Sequence, residues 1–242
     1  MLAAMKARYV TGLTATPYRR DGHQPIIYMQ CGPVRHVVDA RALAGGRPFG
    51  HRLVCRETAF RHQEGAVAVG IQDMYASLAA DSARNDQILG DIVSAVAAGR
   101  CPLVLTERRD HLDLLAGKLR AFARHVVVLC GGGRARERRE ALAQLAAIPA
   151  DEERVVVATG RYAGKGFDDA RLDTLFLAMP IAWKGTLVQY AGRLHRSHPE
   201  KREVVIYDYV DPEVPVLARM FEKRLRGYRA LGYEVSRAGG RG

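Results

Sequence analysis

The feature that most constrains the fold is a regular alternation of short apolar runs and longer amphipathic segments, which begins at residue 71. The apolar runs have the length of buried strands, and the amphipathic segments repeat their apolar residues at helical spacing. The predicted strands cover residues 102–106, 126–130, 155–158, 172–178 and 204–209. The predicted helices cover residues 84–98, 110–123, 134–147, 186–196 and 212–231. Strands of this kind, separated by helices, predict an α/β fold with a parallel sheet covered by helices on both faces.

The chain before residue 71 is less regular. Residues 5–13 are expected to form one further strand that runs into a turn, since Pro17 disfavours helix at Thr16. Short apolar runs at 26–29, 34–38 and 53–55 are interrupted by a Gly-Gly-Arg-Pro segment, which predicts a linker with short strands. Ligands of open parallel sheets bind beyond the carboxyl ends of the strands, so the loops that follow those ends are the places to seek function.

Composition narrows the class of protein. No apolar run approaches the length of a membrane span, and the first eight residues lack the apolar stretch of a signal peptide. The four cysteines are scattered without a C-x-x-C pair, which favours reduced thiols and a cytoplasmic location. A net charge of +11 favours a polyanionic partner, with nucleic acid first, although an arginine-rich composition without specific binding would give the same charge.

One segment near the end of the chain concentrates charge on a predicted helix. Gln189, Arg193 and Arg196 are separated by four and three residues, which brings side chains together on one helix face. Gly192 between them allows close approach of another backbone. Two guanidiniums directed at one point suit a triphosphate, because each is permanently charged and forks onto phosphate oxygens. The alternative is a solvated helix face with surface ion pairs of little value.

Four segments together resemble a known family. Residues 12–17 (GLTATP) look like helicase motif III, residues 103–108 (LVLTER) like motif IV, residues 157–168 like motif V, and residues 189–196 (QYAGRLHR) like motif VI. Their order and spacing resemble superfamily 2 helicases, and the DEAD/DEAH-box and type III restriction-subunit group most closely. The resemblance covers nearly the whole chain and implies a RecA-like, P-loop NTPase-type helicase C-terminal domain.

In that family ATP lies between two RecA-like domains, and the first domain carries a phosphate-binding loop and an acidic box before motif III. Neither is found here: the pattern G-x-x-x-x-G-K-[ST] fails at residues 159–166, and Asp151-Glu152-Glu153 follows no apolar strand. The resemblance therefore implies the remnant of a first domain at 1–20, the linker at 21–70, a second RecA-like domain at 71–235 and a disordered tail at 236–242. ATP and Mg²⁺ would be shared with a first RecA-like domain, in cis or on another chain.

The resemblance also implies roles for individual residues. Arg193 and Arg196 would be arginine fingers on the γ-phosphate, and Gln189 would place the nucleotide or the attacking water. Asp168 would contact the ribose of the nucleotide or couple the cleft to nucleic acid, and Gly166 and Gly192 would also belong to the nucleotide-binding site. Contacts to the nucleic-acid backbone would come from Thr106, Arg108 and Thr159, and coupling of the ATP state to domain closure from Thr14 and Thr16. Lys165 departs from the family pattern, which has an acidic residue there.

Several of these residues have simpler explanations. Asp168 could cap the following segment, and Thr159 could form a turn. Gly131 and Gly132 lie between a strand and a charged helix, where backbone N–H groups could bind a phosphate or simply form a tight turn. Tyr190 could stack on a base, although core packing is the commoner role. The scattered histidines and cysteines of residues 23–62 fit no zinc-finger spacing, so no metal site is expected.

The resulting expectation is the C-terminal motor domain of an ATP-dependent helicase or translocase. Its substrate would be nucleic acid, with DNA favoured over RNA, and the isolated chain would be inactive. No membrane partner is expected. The alternative is a non-catalytic nucleic-acid-binding module or degenerate helicase remnant. An unrelated nucleotide-binding enzyme such as a methyltransferase would need a glycine-rich loop after its first strand, and Thr106-Glu107-Arg108-Arg109 fits that poorly.

Overall fold

The computed structural model describes residues 9–14, 24–38, 45–62, 70–131, 135–160, 169–181 and 184–237. Within them seven strands form one sheet in which all pairs are parallel, in the order β3-β4-β2-β5-β6-β1-β7. The strands are β1 (Gly50–Glu57), β2 (Pro102–Thr106), β3 (Val126–Leu129), β4 (Val155–Thr159), β5 (Thr174–Leu177), β6 (Glu203–Val210) and β7 (Glu234–Arg237).

Seven helices are described in the same residues. They are α1 (Gln24–Cys31), α2 (Ile71–Ala80), α3 (Ser82–Ala97), α4 (Arg109–Leu119), α5 (Ala135–Ala147), α6 (Lys184–Leu194) and α7 (Pro215–Ala230). The predicted helix and strand positions after residue 84 agree with these bounds to within a few residues, as expected for segments with strong periodicity. The predicted α/β fold with a parallel sheet is confirmed.

The sheet is apolar on both faces because it is covered on both. Alternate side chains of the central strands point to opposite sides. On one side Leu105 and Leu177 belong to a core that contains Leu187 and Leu194 of α6. On the other side the side chains of the same strands pack against α3 and α4, in a core that contains Val104, Phe176, Ile88 and Leu112. This explains why β2 is apolar from Pro102 to Leu105 and why all five of its residues are buried.

Three expectations about the early part of the chain are changed by the structure. The strand predicted over 5–13 is wrong for its described residues, which form no strand, and Leu13 is 94% exposed. An extended segment needs a neighbouring strand for its backbone groups, and none of the seven strands pairs with it. The apolar run at 26–29 lies in α1, and 34–38 has no regular structure.

The run at 53–55 does form a strand, but one within the main sheet. β1 lies between β6 and β7, with Leu53 paired to Ile206 and Val235. Part of the predicted linker therefore belongs to the same sheet as residues 102–210, and β7 extends into the start of the predicted tail. Residues 238–242 lie outside the described residues.

A helix over the predicted range 110–123 would place Phe122 on its apolar face with Leu112, Leu115 and Leu119, and this prediction is wrong. Helix α4 ends at Leu119, and Phe122 follows in a turn with its ring 63% exposed. Once the helix has ended, the three-residue spacing no longer brings a side chain back to the same face. Ala123 is buried in its place.

Candidate functional site

The candidate site lies where β4, β2, β5 and β6 end. Thr106 is the last residue of β2, and Thr159 is the last residue of β4. Residues 178–181 continue from β5, and Asp211 continues from β6. Because these strands are parallel and adjacent, their carboxyl ends meet at one edge of the sheet, the edge where open α/β sheets bind ligands.

Helix α6 contacts this edge through Tyr190. A Cβ atom added to Gly160 would collide with both the Glu107 carboxylate and the Tyr190 hydroxyl, so these two side chains meet directly above the glycine. Tyr190 is only 2% exposed, which confirms core packing rather than base stacking for this ring. Burial raises the pKa of Tyr190, and the Glu107 charge raises it further while the Arg193 charge lowers it. The hydroxyl therefore stays protonated at neutral pH.

The carboxyl end of α6 has a specific cap. The helix ends at Leu194, and the buried Lys201 donates from Nζ to the carbonyl oxygens of Leu194 at 2.8 Å and Arg196 at 2.7 Å. A lysine at this position satisfies carbonyls that the helix leaves without partners and complements its dipole. The expected helix through residue 196 is thus two residues too long.

The motif VI side chains differ in their surroundings. Gln189 and Gly192 are exposed on α6, and a Cβ at Gly192 would meet open space. Arg193 is half-buried, with its Nε atom buried. Arg196 is exposed and lies beyond the helix end. The i,i+4 relation of Gln189 and Arg193 holds within the helix, whereas convergence of Arg196 with them depends on the turn that follows and stays a prediction.

Thr106 is held inside the molecule. It is 1% exposed, and its Oγ1 lies 3.0 Å from Nδ1 of His111, whose Nε2 lies 2.8 Å from Oδ1 of Asn85. Asn85 Nδ2 donates to the Ala79 carbonyl oxygen at 2.8 Å, so Asn85 Oδ1 is the acceptor from His111 Nε2–H. His111 Nδ1 then accepts from the Thr106 hydroxyl.

This chain of hydrogen bonds runs from the end of α2 to the loop that carries Glu107 and Arg108. It requires a neutral His111, and burial, followed by the nearby Arg84 charge, lowers the pKa of His111 to about 4. The backbone N–H of Arg108 approaches Thr106 Oγ1 at 3.4 Å. Thr106 is therefore placed to support the loop rather than to contact a ligand at the surface.

The other residues expected to bind the nucleic-acid backbone lie at the carboxyl ends of the neighbouring strands β3, β4 and β2, a region that we call the corner of β2, β3 and β4. The Gly131 N–H donates to Thr159 Oγ1 at 3.0 Å, which joins the ends of β3 and β4. The Arg108 guanidinium contacts the Asp110 carboxylate at 2.6 Å, an ion pair of the motif IV loop. Arg109 Nη1 lies 3.2 Å from Cys130 Sγ.

Several predicted site residues lie outside the described residues: Thr16, Gly132, Gly166 and Asp168. Lys165, which departs from the family pattern, also lies outside them. Thr14 is described and exposed, and it is in no regular element. Among the described residues, no group of three or more His, Cys, Asp or Glu side chains is arranged to hold a metal ion.

The sequence reasoning missed two buried ion pairs that hold this edge together. Arg84 Nε donates to Asp211 at 2.9 Å, and its Nη1 donates to the Ala178 carbonyl oxygen at 2.7 Å. Arg224 makes two bonds with Asp208, at 2.7 and 2.8 Å, and donates to the Ile181 carbonyl oxygen at 3.2 Å. The only signal in the sequence was an aspartate in or just after an apolar strand and an arginine at helical positions.

These pairs fix the segment 178–181 that leads into α6. The guanidiniums and carboxylates are almost fully buried, and such pairs persist when each partner has further hydrogen bonds. Thr58 donates to Asp211 at 2.6 Å and Tyr228 to Asp208 at 2.7 Å. The segment 178–181 is thereby tied to β6, α3 and α7.

Comparison with known proteins agrees with the fold. The structure matches T4 UvsW with a TM-score of 0.57 at 15% identity, over 79% of this chain and 42% of that one. It matches S. cerevisiae Dbp5 L327V bound to RNA and ADP BeF3 with a TM-score of 0.60 at 13% identity, over 93% and 50% of the two chains. It matches the C-terminal part of the Fun30 ATPase domain with a TM-score of 0.50 at 14% identity, over 60% of this chain and 46% of that one. This chain spans about half the length of these structures.

The fold is therefore the RecA-like α/β fold of helicase C-terminal domains. No protein-family model matches the chain. Over 84 residues, which are 35% of this chain and 76% of the relative, the sequence is 33% identical to "Uncharacterized protein 108L" of Invertebrate iridescent virus 3. The chain belongs to the same family as that viral protein. In the described residues, every helix is too short or too polar to cross a membrane.

Proposed function

We propose that this chain forms one wall of a nucleotide cleft in an ATP-dependent helicase or translocase of the DEAD/DEAH-box and type III restriction-subunit kind, with DNA as the favoured substrate. The observation that carries the proposal is the docking of α6 at the carboxyl edge. There Tyr190 meets Glu107 above Gly160, within a fold shared with helicase C-terminal domains. This contact holds α6 at the edge where open α/β sheets bind ligands, which supports a role at that edge for the residues that resemble motif VI.

Two arginines of this chain would act on the phosphates. Arg196 is exposed, Arg193 is half-buried, and a guanidinium stays charged at any pH at which the protein is folded. Positioned guanidiniums stabilise the charge that develops during phosphoryl transfer. Gln189 and Gly192 leave the adjoining surface of α6 accessible to a neighbouring domain. ATP would supply the phosphoryl group, and the Mg²⁺ that accompanies it would be held by a first RecA-like domain.

Contacts to the nucleic-acid backbone are assigned to the corner of β2, β3 and β4. The Gly131–Thr159 hydrogen bond holds the loop after β3 against the end of β4. Arg108 and Arg109 follow β2 and are paired with Asp110 and Asp113, so a phosphate would have to compete with these carboxylates for the two guanidiniums. Thr106 takes a supporting role, because its hydroxyl is buried against His111. Asp168, Gly166 and the threonines of motif III keep the roles that the family resemblance implies.

The test is ATP turnover by this chain joined with a polypeptide that carries a phosphate-binding loop and an acidic box, in cis or in trans. Arg196→Ala is expected to reduce turnover by about 10³-fold or more. Binding of a single-stranded oligonucleotide should change by less than about twofold, because the lost group acts on the phosphates of ATP. The matched control is Arg226→Ala, an exposed arginine on α7.

Two outcomes would contradict the proposal. One is substantial ATP hydrolysis by the purified chain alone that Arg196→Ala abolishes, which would place the whole site in this chain. The other is an equal effect of Arg196→Ala and Arg226→Ala on turnover in the joined protein.

A second candidate is a nucleic-acid-binding module without ATP turnover, which the net charge of +11 supports. It predicts oligonucleotide binding by the isolated chain that a first RecA-like domain and ATP leave unchanged. The motor proposal predicts that ATP changes this binding, so a titration with and without the nucleotide separates the two.

A further inference from the structure

A second charged surface lies at the opposite end of the sheet from the candidate site. It is a cleft of about 1080 Å³ lined by residues at the beginnings of β1, β6 and β7 and by the end of α7. Because the strands are parallel, their amino ends face away from the edge where Glu107 and Gly160 meet. We name it the amino-edge cleft and define it by Arg47, Phe49, Arg52, Arg202, Arg229 and Tyr233.

The charge of this cleft is positive. Four arginines and two glutamates line it. Glu203 is already neutralised by Arg52, with two bonds of 2.8 Å. Among the described residues no carboxylate forms an ion pair with Arg47, Arg202 or Arg229, and the latter two side chains are exposed. Beyond the Arg52–Glu203 pair, the lining keeps three guanidiniums and the Glu234 carboxylate, so the opening retains a positive excess.

The floor of the cleft is rigid and aromatic. Phe49 and Tyr233 are about 5% exposed or less, and the His195 and Tyr233 rings stack with centroids 5.7 Å apart. The Tyr233 hydroxyl and His195 Nε2 lie 2.9 Å apart, and His51 packs edge-on against both rings. A packed floor of this kind holds the surrounding loops in fixed positions without adding charge.

The histidines of the floor do not offset the arginines. Burial lowers the pKa of His195 to about 3 and also lowers the pKa of His51, with the Arg47 charge lowering both further. Both rings are therefore neutral at pH 7. Arg47 itself is partly buried beside His51, with Nη1 3.4 Å from His51 Nε2, so part of its charge is already removed from water. A guanidinium of this kind gains more from an anion than a fully hydrated one does.

We propose that the amino-edge cleft binds the phosphodiester backbone of a single-stranded nucleic acid, as a second contact surface separate from the carboxyl edge. The cleft is open and large, which suits a strand passing through rather than an enclosed small molecule. Arginines whose guanidiniums donate two hydrogen bonds to phosphate oxygens supply the attraction. The aromatic floor is buried and cannot contact bases, so binding should not depend on the base sequence. This inference does not depend on ATP turnover or on the roles of Arg193 and Arg196.

The test is the salt dependence of binding between the full chain and a fluorescent single-stranded oligonucleotide. The variant is Arg202→Ala with Arg229→Ala, and the matched control is Arg219→Ala with Arg226→Ala, two exposed arginines of α7 that do not line the cleft. Each pair removes the same charge. Loss of two phosphate contacts should reduce the slope of log K against log salt by about 1.4.

The cleft variant is expected to bind at least about tenfold more weakly at low salt, and the control less than about threefold more weakly. Equal losses in the two variants would overturn the proposal, since net charge alone would then explain binding. Stronger competition by polyaspartate than by an unlabelled oligonucleotide of equal charge would also overturn it, in favour of an acidic protein partner. Thermal unfolding of both variants within a few degrees of the parent shows that the losses are not due to misfolding.

The result is separable from the nucleotide-cleft proposal. Both proposals are supported if the Arg202→Ala, Arg229→Ala variant loses strand binding and Arg196→Ala still reduces ATP turnover in the joined protein. If the Arg202→Ala, Arg229→Ala variant keeps the parent's slope of log K against log salt while Arg196→Ala reduces ATP turnover, the proposal for the amino-edge cleft is wrong. The proposal for the nucleotide cleft is then still supported.

Discussion

Tyr190 and Glu107 meet above the backbone of Gly160, so that a hydroxyl from helix α6 and a carboxylate from the loop after β2 occupy the space that a side chain at position 160 would need. The contact joins segments that resemble three different helicase motifs. It also gives a steric reason for glycine directly after β4, independent of any ligand. A side chain at position 160 should therefore displace Tyr190 and with it α6.

Gly160→Ala is expected to lower the free energy of unfolding by roughly 1–3 kcal/mol, the usual effect of overpacking a well-filled site. Glu107 is exposed and can move aside, whereas Tyr190 is buried and cannot. Removing the hydroxyl should relieve the clash, so the same substitution should destabilise less in a Tyr190→Phe background. Urea unfolding of the four proteins of this cycle measures the coupling.

The control is Gly117→Ala in α4, where a Cβ meets open space. It should be neutral or stabilising by up to about 1 kcal/mol, because alanine favours helix. Equal effects of Gly160→Ala in the two backgrounds would show that Tyr190 does not confine the site.

Acid should destabilise the protein through His111. Its folded-state pKa of about 4 lies below the ordinary value of 6.5, so the unfolded chain binds the extra proton more readily. The stability that depends on neutral His111 is fully present above about pH 6.5 and is lost as pH falls toward 4, by up to about 3 kcal/mol. NMR titration of the His111 ring measures the pKa directly.

Protonation of His195 should also lower the free energy of unfolding as the pH falls below about 6.5, since the pKa of His195 is lowered in the folded state too. His111→Gln should therefore flatten the pH dependence of unfolding only in part. A ring pKa for His111 near 6.5, or an unaltered pH dependence in the variant, would contradict the hydrogen-bond chain through Thr106.

Lys201→Met is expected to cost about 1–3 kcal/mol of stability, because it leaves two carbonyl oxygens at the end of α6 without their donor. Methionine keeps the apolar stem, so packing is largely retained. Hydrogen exchange should become faster for amides near residues 194–198. Lys118→Met serves as the control, since that lysine makes an exposed ion pair with Asp86, and it should change stability by less than about 1 kcal/mol. Similar effects of the two substitutions would argue against a capping role.

Breaking the Arg224–Asp208 pair should have the largest effect on stability. Arg224→Met leaves a carboxylate that is 1% exposed without its charged partner, which typically costs about 3–5 kcal/mol. Arg226→Met on the same helix is exposed and should be close to neutral. Chemical unfolding of the two variants tests the difference, and a loss below about 1 kcal/mol for Arg224→Met would show that Asp208 finds another partner.

The order of strands and helices after residue 84 followed from the sequence. The segments of β2, β4 and β5 are short and mainly apolar, and the helical segments repeat their apolar residues at helical spacing. β1 was harder to place. Its sequence, Gly-His-Arg-Leu-Val-Cys-Arg-Glu, has polar residues around a short apolar centre, and its partner strands begin at residues 203 and 234. Periodicity reports local structure and says nothing about which distant strand completes a ladder.

The motif residues show the same division. Their presence and spacing, with Gln189, Gly192, Arg193 and Arg196 in one segment, are properties of the sequence. Only the tertiary structure showed that α6 ends at Leu194, that Thr106 is buried against His111, and that Arg84 and Arg224 form buried ion pairs. Local periodicity determines which segments become strands and helices, whereas the cap, the pairs and the contact above Gly160 join residues far apart in sequence and exist only after the chain has packed.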